Sequence, residues 1–228
     1  MNVLDLFSGI GGFSLGLERA GMRTVAFCEI EPFPRAVLRK HWPTVPCFED
    51  VRSLHASNVR AIDVICGGFP CQPFSTAARG RNNALDLWPE MFRIIEEIKP
   101  LYVIGENVIE RPLRIAERQL SGIGYATYVR RISASDCGAD HKRDRWWICA
   151  YPNENGELPR AIDAEASMLP KLCADLWGAE NYARAIRVSD GLPNRVDRNR
   201  CLGNSVLPQI PEIIGRAIMQ TLSRAETA

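Results

Sequence analysis

Over roughly the first 150 residues, short apolar runs bounded by Gly, Pro and Asp alternate with segments of helical periodicity. That alternation restricts the fold more than any other feature. "NVLDLF" leads into "GGFSLGLERA", "TVAFCE" into "PFPRAVLRKH", and "AIDVICGG", after a polar loop, into "LWPEMFRIIEEI". "LYVIGEN" and "PLRIAERQLSGI" continue the pattern before two more strand-like runs, "YATYVRRISA" and "WWICAY". Strands that alternate with helices of this length are joined by right-handed crossovers, so the pattern predicts an α/β domain with a doubly wound, mostly parallel sheet covered on both faces. From Pro152 the pattern gives way to stretches rich in Pro, Asn, Asp and Gly with a weakly helical stretch between them, read here as an insertion over 152–200. The segment 201–228 recovers helical periodicity in "LPQIPEIIGRAIMQTLSRA" and is expected to pack back on the domain of residues 1–151.

With 228 residues, 46% of them hydrophobic, the chain can bury one sizeable core, with at most a small appendage. No run reaches the apolar length of a membrane span, and "MNVLDLFSG" has neither the charged nor the apolar region of a signal peptide, which predicts a cytoplasmic protein. The eight cysteines are scattered and never form a Cys-x-x-Cys pair, and there are only three histidines. Reduced core thiols are expected, with no disulfide framework and no metal. A formal net charge of +1 neither supports nor excludes a nucleic-acid partner. Residues 184–200 hold Arg184, Arg187, Arg195, Arg198 and Arg200 against Asp190 and Asp197, and both a solvated loop and a phosphate-contacting one fit that excess.

"DLFSGIGGFSLGLERAG" follows the first strand and opens the first helix. Gly9, Gly11 and Gly12 permit a tight turn and the close backbone approach a nucleotide-like ligand needs at a helix N-terminus. Glu29, at the end of the second strand, is placed to accept hydrogen bonds from ribose hydroxyls, and Asp50, after the third, could meet an adenine amino group. The third glycine of a dinucleotide fingerprint is missing, because Ser14 stands where it would fall. An adenosine without a pyrophosphate, such as S-adenosylmethionine, suits the turn better.

Cys71 in "GGFPCQPFS" lies beyond the carboxyl end of the fourth strand, the edge at which doubly wound sheets bind ligands. Glu106 and Asn107 end the next strand at the same edge. A thiol nucleophile, a carboxylic acid and an adenosine pocket are the parts needed to add a thiolate to C6 of a pyrimidine while the acid protonates or hydrogen-bonds N3. The addition leaves C5 electron-rich enough to take a methyl group from a sulfonium.

"DLFSGIGG", "PCQPFS", "ENV", "RDR" and "GNSV", in this order, resemble the motifs of the DNA (cytosine-5)-methyltransferases of restriction-modification or phage type. The resemblance implies a Rossmann-like methyltransferase fold and transfer of a methyl group from S-adenosylmethionine to C5 of cytosine in double-stranded DNA. It assigns Cys71 as nucleophile, Glu106 as the acid at N3, and Arg143 and Arg145 as the pair that positions the flipped base and the catalytic loop. It places Phe7, Gly9, Ile10, Gly11, Gly12, Glu29, Ile30, Asp50, Val51, Pro70, Leu87, Asn204, Ser205 and Val206 around the cofactor. Gln72, Ser75, Arg79, Arg81, Arg195, Arg198 and Arg200 are then expected to contact DNA, with the basic loop "STAARGRNNALD" closing over the extruded base. His141 stands where the family usually has glutamine.

The resemblance makes 152–200 the target-recognition region, with under fifty positions, short for the family. Few side chains are then available to read base edges. A short or relaxed recognition sequence, a partner subunit or second copy that adds contacts, and a reduced protein that methylates poorly are all compatible with that length. Two other functions stay open from the sequence: methylation of cytosine in tRNA by the family's RNA-acting relatives, and a non-catalytic DNA-binding module.

Overall fold

The computed structural model describes residues 1–70, 86–137, 143–153, 156–169 and 203–227. The expectations for Cys71, Gln72, Ser75, Arg79, Arg81, His141, Arg195, Arg198 and Arg200, and for the weakly helical stretch before Val188, lie outside those residues.

Among the described residues the strands are β1 (Asn2–Leu6), β2 (Arg23–Cys28), β3 (Cys47–Phe48), β4 (Val64–Gly68), β5 (Tyr102–Asn107), β6 (Tyr125–Ser133) and β7 (Asp144–Pro152). They form one sheet in the order β3-β2-β1-β4-β5-β7-β6. The first five are parallel, and β7 runs antiparallel to both β5 and β6. The helices are α1 (Gly12–Arg19), α2 (Pro32–His41), α3 (Trp88–Ile98), α4 (Glu110–Gly122), α5 (Leu158–Ala166) and α6 (Gln209–Thr227).

Strand side chains alternate between the two faces of a sheet, and this sequence makes both faces apolar. Val3, Cys66, Tyr102 and Ile104 point to one side, where Phe13 and Leu17 of α1, Leu158 and Ile162 of α5, and Ile213 and Ile214 of α6 cover them. Leu4, Ile65 and Val103 point to the other side, onto Met91, Ile94 and Ile95 of α3 and Leu113 and Ala116 of α4. The doubly wound, mostly parallel sheet expected from the alternation is therefore the one that forms.

One local expectation fails. Residues 158–166, read as part of an irregular insertion, form α5 and join the core. Leu158, Ile162 and Ala166, spaced by four, make a buried stripe, and Pro159 sits in the first turn where its missing N–H costs no helical bond. The Pro, Asn and Gly around the stripe hide it in the sequence.

α6 packs closely on α1 because Gly16 has no side chain. A Cβ at Gly16 would fall 2.1 Å from the Pro208 carbonyl oxygen and 2.9 Å from the Glu212 nitrogen, both backbone atoms. Gly16→Ala is expected to lower unfolding stability by about 3 kcal/mol through overpacking. Urea denaturation checks this, and a midpoint equal to wild type would show that the α1–α6 contact adjusts freely.

Candidate active site

Between Leu6 and α1 the chain passes through conformations that most side chains avoid. Phe7, Gly9 and Gly11 have φ of 54°, 52° and 86°. Only glycine takes this region without strain, so Phe7 costs roughly 1 kcal/mol that the surroundings must offset. Ser8 supplies part of that offset, because its Oγ donates to the Asp5 carbonyl at 2.6 Å and accepts the Cys28 N–H at 3.2 Å, tying the turn across β1 and β2. The space beside Gly9 is open, since an added Cβ would meet no atom within 4 Å. Around Gly11 and Gly12 the opposite holds, as a Cβ there would sit 2.7 Å from the Trp42 ring and 2.9 Å from Val206 respectively. Trp42 and the Ser205–Val206 segment thus close on the turn and leave its Gly9 side free for a ligand, and Ile10 of the turn is half-buried.

Glu29 locks this turn to the end of β2. Its carboxylate accepts the Gly9 N–H at 2.7 Å through Oε2 and the Glu31 N–H at 2.8 Å through Oε1. Beside it, Ile30 leaves 58% of its surface exposed, a large apolar group at the mouth of the site. Val51 is buried in the 3₁₀ turn that follows β3. Asp50 caps that turn, and its carboxylate accepts the Arg52 backbone N–H at 2.9 Å and pairs with the Arg52 guanidinium, which holds its pKa below the usual carboxylate value. The carboxylate expected to meet an adenine amino group is thus engaged by Arg52.

β4 and β5 deliver the next groups to the same edge. Pro70 follows β4, and its carbonyl accepts the Leu87 N–H at 3.4 Å, so the two described ends that flank residues 71–85 meet. Asn107 clamps the approach to Cys71: its Nδ2 donates to the Phe69 carbonyl at 3.0 Å and its Oδ1 accepts the Ile109 N–H. Glu106 is 7% exposed, and burial, opposed by Arg145 and then Arg143, pushes its pKa up to about 7. Arg145 Nε lies 2.8 Å from Glu106 Oε1. The contact lacks hydrogen-bond alignment, which leaves that oxygen without a hydrogen bond.

The antiparallel direction of β7 explains how two arginines after β6 reach an edge where parallel strands end. Asn107 pairs with Trp146 and Glu106 with Trp147, so the start of β7 lies beside the end of β5. From there Arg143 donates to the carbonyls of Gly203 and Ser205, both at 2.6 Å. It thereby holds the segment with exposed Asn204 and half-buried Ser205 and Val206 against the glycine turn. Segments far apart in the sequence thus converge on one carboxyl edge.

Asp5 lies under the turn. It is fully buried, one carboxylate oxygen accepts the Ser14 Oγ–H at 2.7 Å, and the other has no hydrogen bond from a described residue. Burial, opposed by hydrogen bonds from Ser14 and reinforced by the charge of Glu29, raises its pKa from 3.8 to about 7. A raised carboxyl pKa means that the folded state holds the proton more tightly than the unfolded one. Its contribution to stability is complete below about pH 4 and is lost as pH rises through about 7. Asp5→Asn is expected to reduce the loss of stability between pH 4 and pH 8 by about 3 kcal/mol. Chemical denaturation across that range tests this, and equal slopes for variant and wild type would contradict it.

A profile of the C-5 cytosine-specific DNA methylases matches residues 1–172. The chain belongs to that family. Among curated relatives, the type II methyltransferase M.NgoMIV of Neisseria gonorrhoeae is 32% identical over 195 residues, covering 80% of this chain and 62% of the relative. M.MspI of a Moraxella species is 30% identical over 216 residues, covering 86% of this chain and 51% of the relative. The methylase chain described here thus spans between about half and three-fifths of the length of these two relatives. Among solved structures, a protein described as a DNA modification methyltransferase encoded within an E. coli prophage aligns with a TM-score of 0.57 and 31% identity, over 68% of this chain and 47% of that one. S. pombe Dnmt2 aligns with a TM-score of 0.57 at 23% identity over 67% of this chain and 51% of that one, a likeness of fold.

Three side chains that shape this site were not marked by any motif. Trp42, at the end of α2, packs over Gly11 and donates Nε1 to Glu18 at 2.9 Å. Ser14, the residue that breaks the dinucleotide fingerprint, is the partner of Asp5. Arg35 bonds the turn after β2 from behind.

Proposed function

We propose that the chain transfers a methyl group from S-adenosylmethionine to C5 of a flipped cytosine in double-stranded DNA through a covalent adduct on Cys71. The observation that carries the reading is Glu106, a buried carboxyl that keeps its proton up to about pH 7 beside Arg145, on the edge where Pro70 leads directly into Cys71. A group so tuned is suited to protonate or hydrogen-bond a ring nitrogen at neutral pH.

The residues present fit the methyl donor. The open side of Gly9 admits a ligand against the backbone of Gly9 to Gly12 and Phe7, and each Glu29 oxygen, engaged once, keeps a lone pair for a ribose hydroxyl. Ile30 offers its apolar surface to adenine beside Asp50 and Val51, while Pro70, Leu87 and the Asn204–Val206 segment border the remainder. S-adenosylmethionine, when bound, supplies an electrophilic methyl group on a sulfonium sulfur.

The Cys71 thiolate forms a bond to C6 of the base, and the C5–C6 electron pair moves to C5 as Glu106 protonates or hydrogen-bonds N3. C5 takes the methyl group as the S–CH3 bond breaks and its electron pair stays on sulfur, leaving a neutral thioether; a base then removes the C5 proton, the C5–C6 double bond re-forms, the thiolate leaves and a proton taken up at N3 returns to Glu106. Arg145 orients Glu106 and Arg143 holds the closing segment. Gln72, Ser75, Arg79 and Arg81 are assigned to the base and its flanking strand, and Arg195, Arg198 and Arg200 to phosphates. Recognition rests on the part of 152–200 that follows α5, and the protein works in the cytoplasm, on the nucleoid when bound to DNA.

Labelled methyl transfer to duplex DNA and to tRNA, with digestion to nucleosides, tests the proposal. It predicts label in 5-methylcytosine from DNA. Label in RNA alone would replace the substrate, and cofactor binding without any transfer would favour a DNA-binding module.

A further inference from the structure

Arg35 occupies the first turn of α2, outside every motif that assigns a cofactor residue, and its side chain is only 12% exposed. Its Nη1 donates to two successive carbonyls of the turn after β2, Glu29 at 3.3 Å and Ile30 at 2.9 Å. Its Nη2 pairs at 3.2 Å with Glu49, the residue just before Asp50. One planar guanidinium therefore ties together the backbone that presents Glu29 and Ile30 and the segment that presents Asp50 and Val51. A buried fork of this kind fixes geometry in a way a lysine cannot.

We infer that Arg35 is a positioning residue for the nucleoside half of the cofactor site, acting through the Glu29–Ile30 turn and the Glu49–Val51 segment without touching the ligand. The inference rests on the proposed use of S-adenosylmethionine. Glu29 holds the glycine turn through Gly9, so slack in the turn after β2 passes to the glycine turn as well. Glu106 ends β5, a different strand that Arg35 does not bond. Arg35 thus acts on cofactor affinity more than on the rate of the chemical step.

Calorimetric titration of wild type, Arg35→Ala and Arg35→Lys with S-adenosylmethionine and S-adenosylhomocysteine tests the inference, together with hydrogen exchange at the Gly9 and Glu31 amides of the unliganded proteins. Arg35→Ala is expected to raise Kd for both ligands about tenfold, the size expected for loss of a charge-assisted anchor. The Gly9 and Glu31 amides should exchange faster, KM for the cofactor should rise with kcat changed less than twofold, and Arg35→Lys should fall between. If the alanine variant does not fold, the lysine variant carries the test with an intermediate rise in Kd. Wild-type Kd in both variants, or kcat falling in parallel with affinity, would overturn the inference. Wild-type protein that binds neither ligand would overturn the cofactor reading itself, and this inference with it.

Discussion

Replacing Cys71 with serine is expected to lower methyl transfer by more than about 10³-fold while leaving the affinity for S-adenosylmethionine within about twofold of wild type. A serine hydroxyl at neutral pH is almost wholly protonated and is a far poorer nucleophile toward C6 than a thiolate. Cys28, Cys66 and Cys149 are buried in the sheet, and burial pushes their thiols to about 12 for Cys28 and Cys149 and well above the ordinary value for Cys66. Cys47 of β3 is half-buried, and burial raises its thiol as well. Thiols so placed are packing groups. A serine variant that retains a tenth of the wild-type single-turnover rate would remove Cys71 from the mechanism.

Glu106→Gln is expected to slow the single-turnover rate at pH 7 by about 10²-fold or more, the range of a positioned general acid. Glutamine keeps the shape and can donate a hydrogen bond to N3, but it has no proton to transfer. Because the Glu106 pKa is raised to about 7, the wild-type acid is protonated below that pH and ionised above it. The contribution of Glu106 to the rate should therefore fall as pH rises beyond about 7, and this alkaline decline should be absent in the glutamine variant. Stability changes in the direction that separates chemistry from unfolding, since the variant removes a buried carboxylate that costs stability above pH 7. An unchanged rate, or an alkaline decline that survives the substitution, would place the acid elsewhere.

The alternating pattern made the fold legible because both faces of the sheet are covered: Leu4, Ile65 and Val103 serve one layer and Val3, Cys66 and Ile104 the other, so the strands read as continuous apolar runs. The positions of Glu29 and Glu106 were legible for a related reason, because residues that follow parallel strands share one edge. The direction of β7 was not, since an apolar run has the same pattern in either sense, yet that direction brings Arg143 and Arg145 to the site. α5 was hidden because three buried residues in nine make a weak stripe between breakers. Arg35 and Trp42 escaped notice because their roles are to bond carbonyls and to cover a glycine, contacts that only three-dimensional proximity creates. Asp5 had a motif but no chemistry attached to it until its burial was known.

The most direct test of the central claim is to incubate the protein with S-adenosylmethionine and mixed-sequence duplex DNA containing 5-fluorocytosine, and to look for an adduct that survives denaturation. Fluorine at C5 cannot leave as a proton does, so a methylated base bonded to the thiol would stay attached. The account predicts an adduct mapped to Cys71 that is lost in Cys71→Ser and depends on the cofactor. Cofactor binding without any trapped DNA, under conditions where a related methylase is trapped, would contradict it.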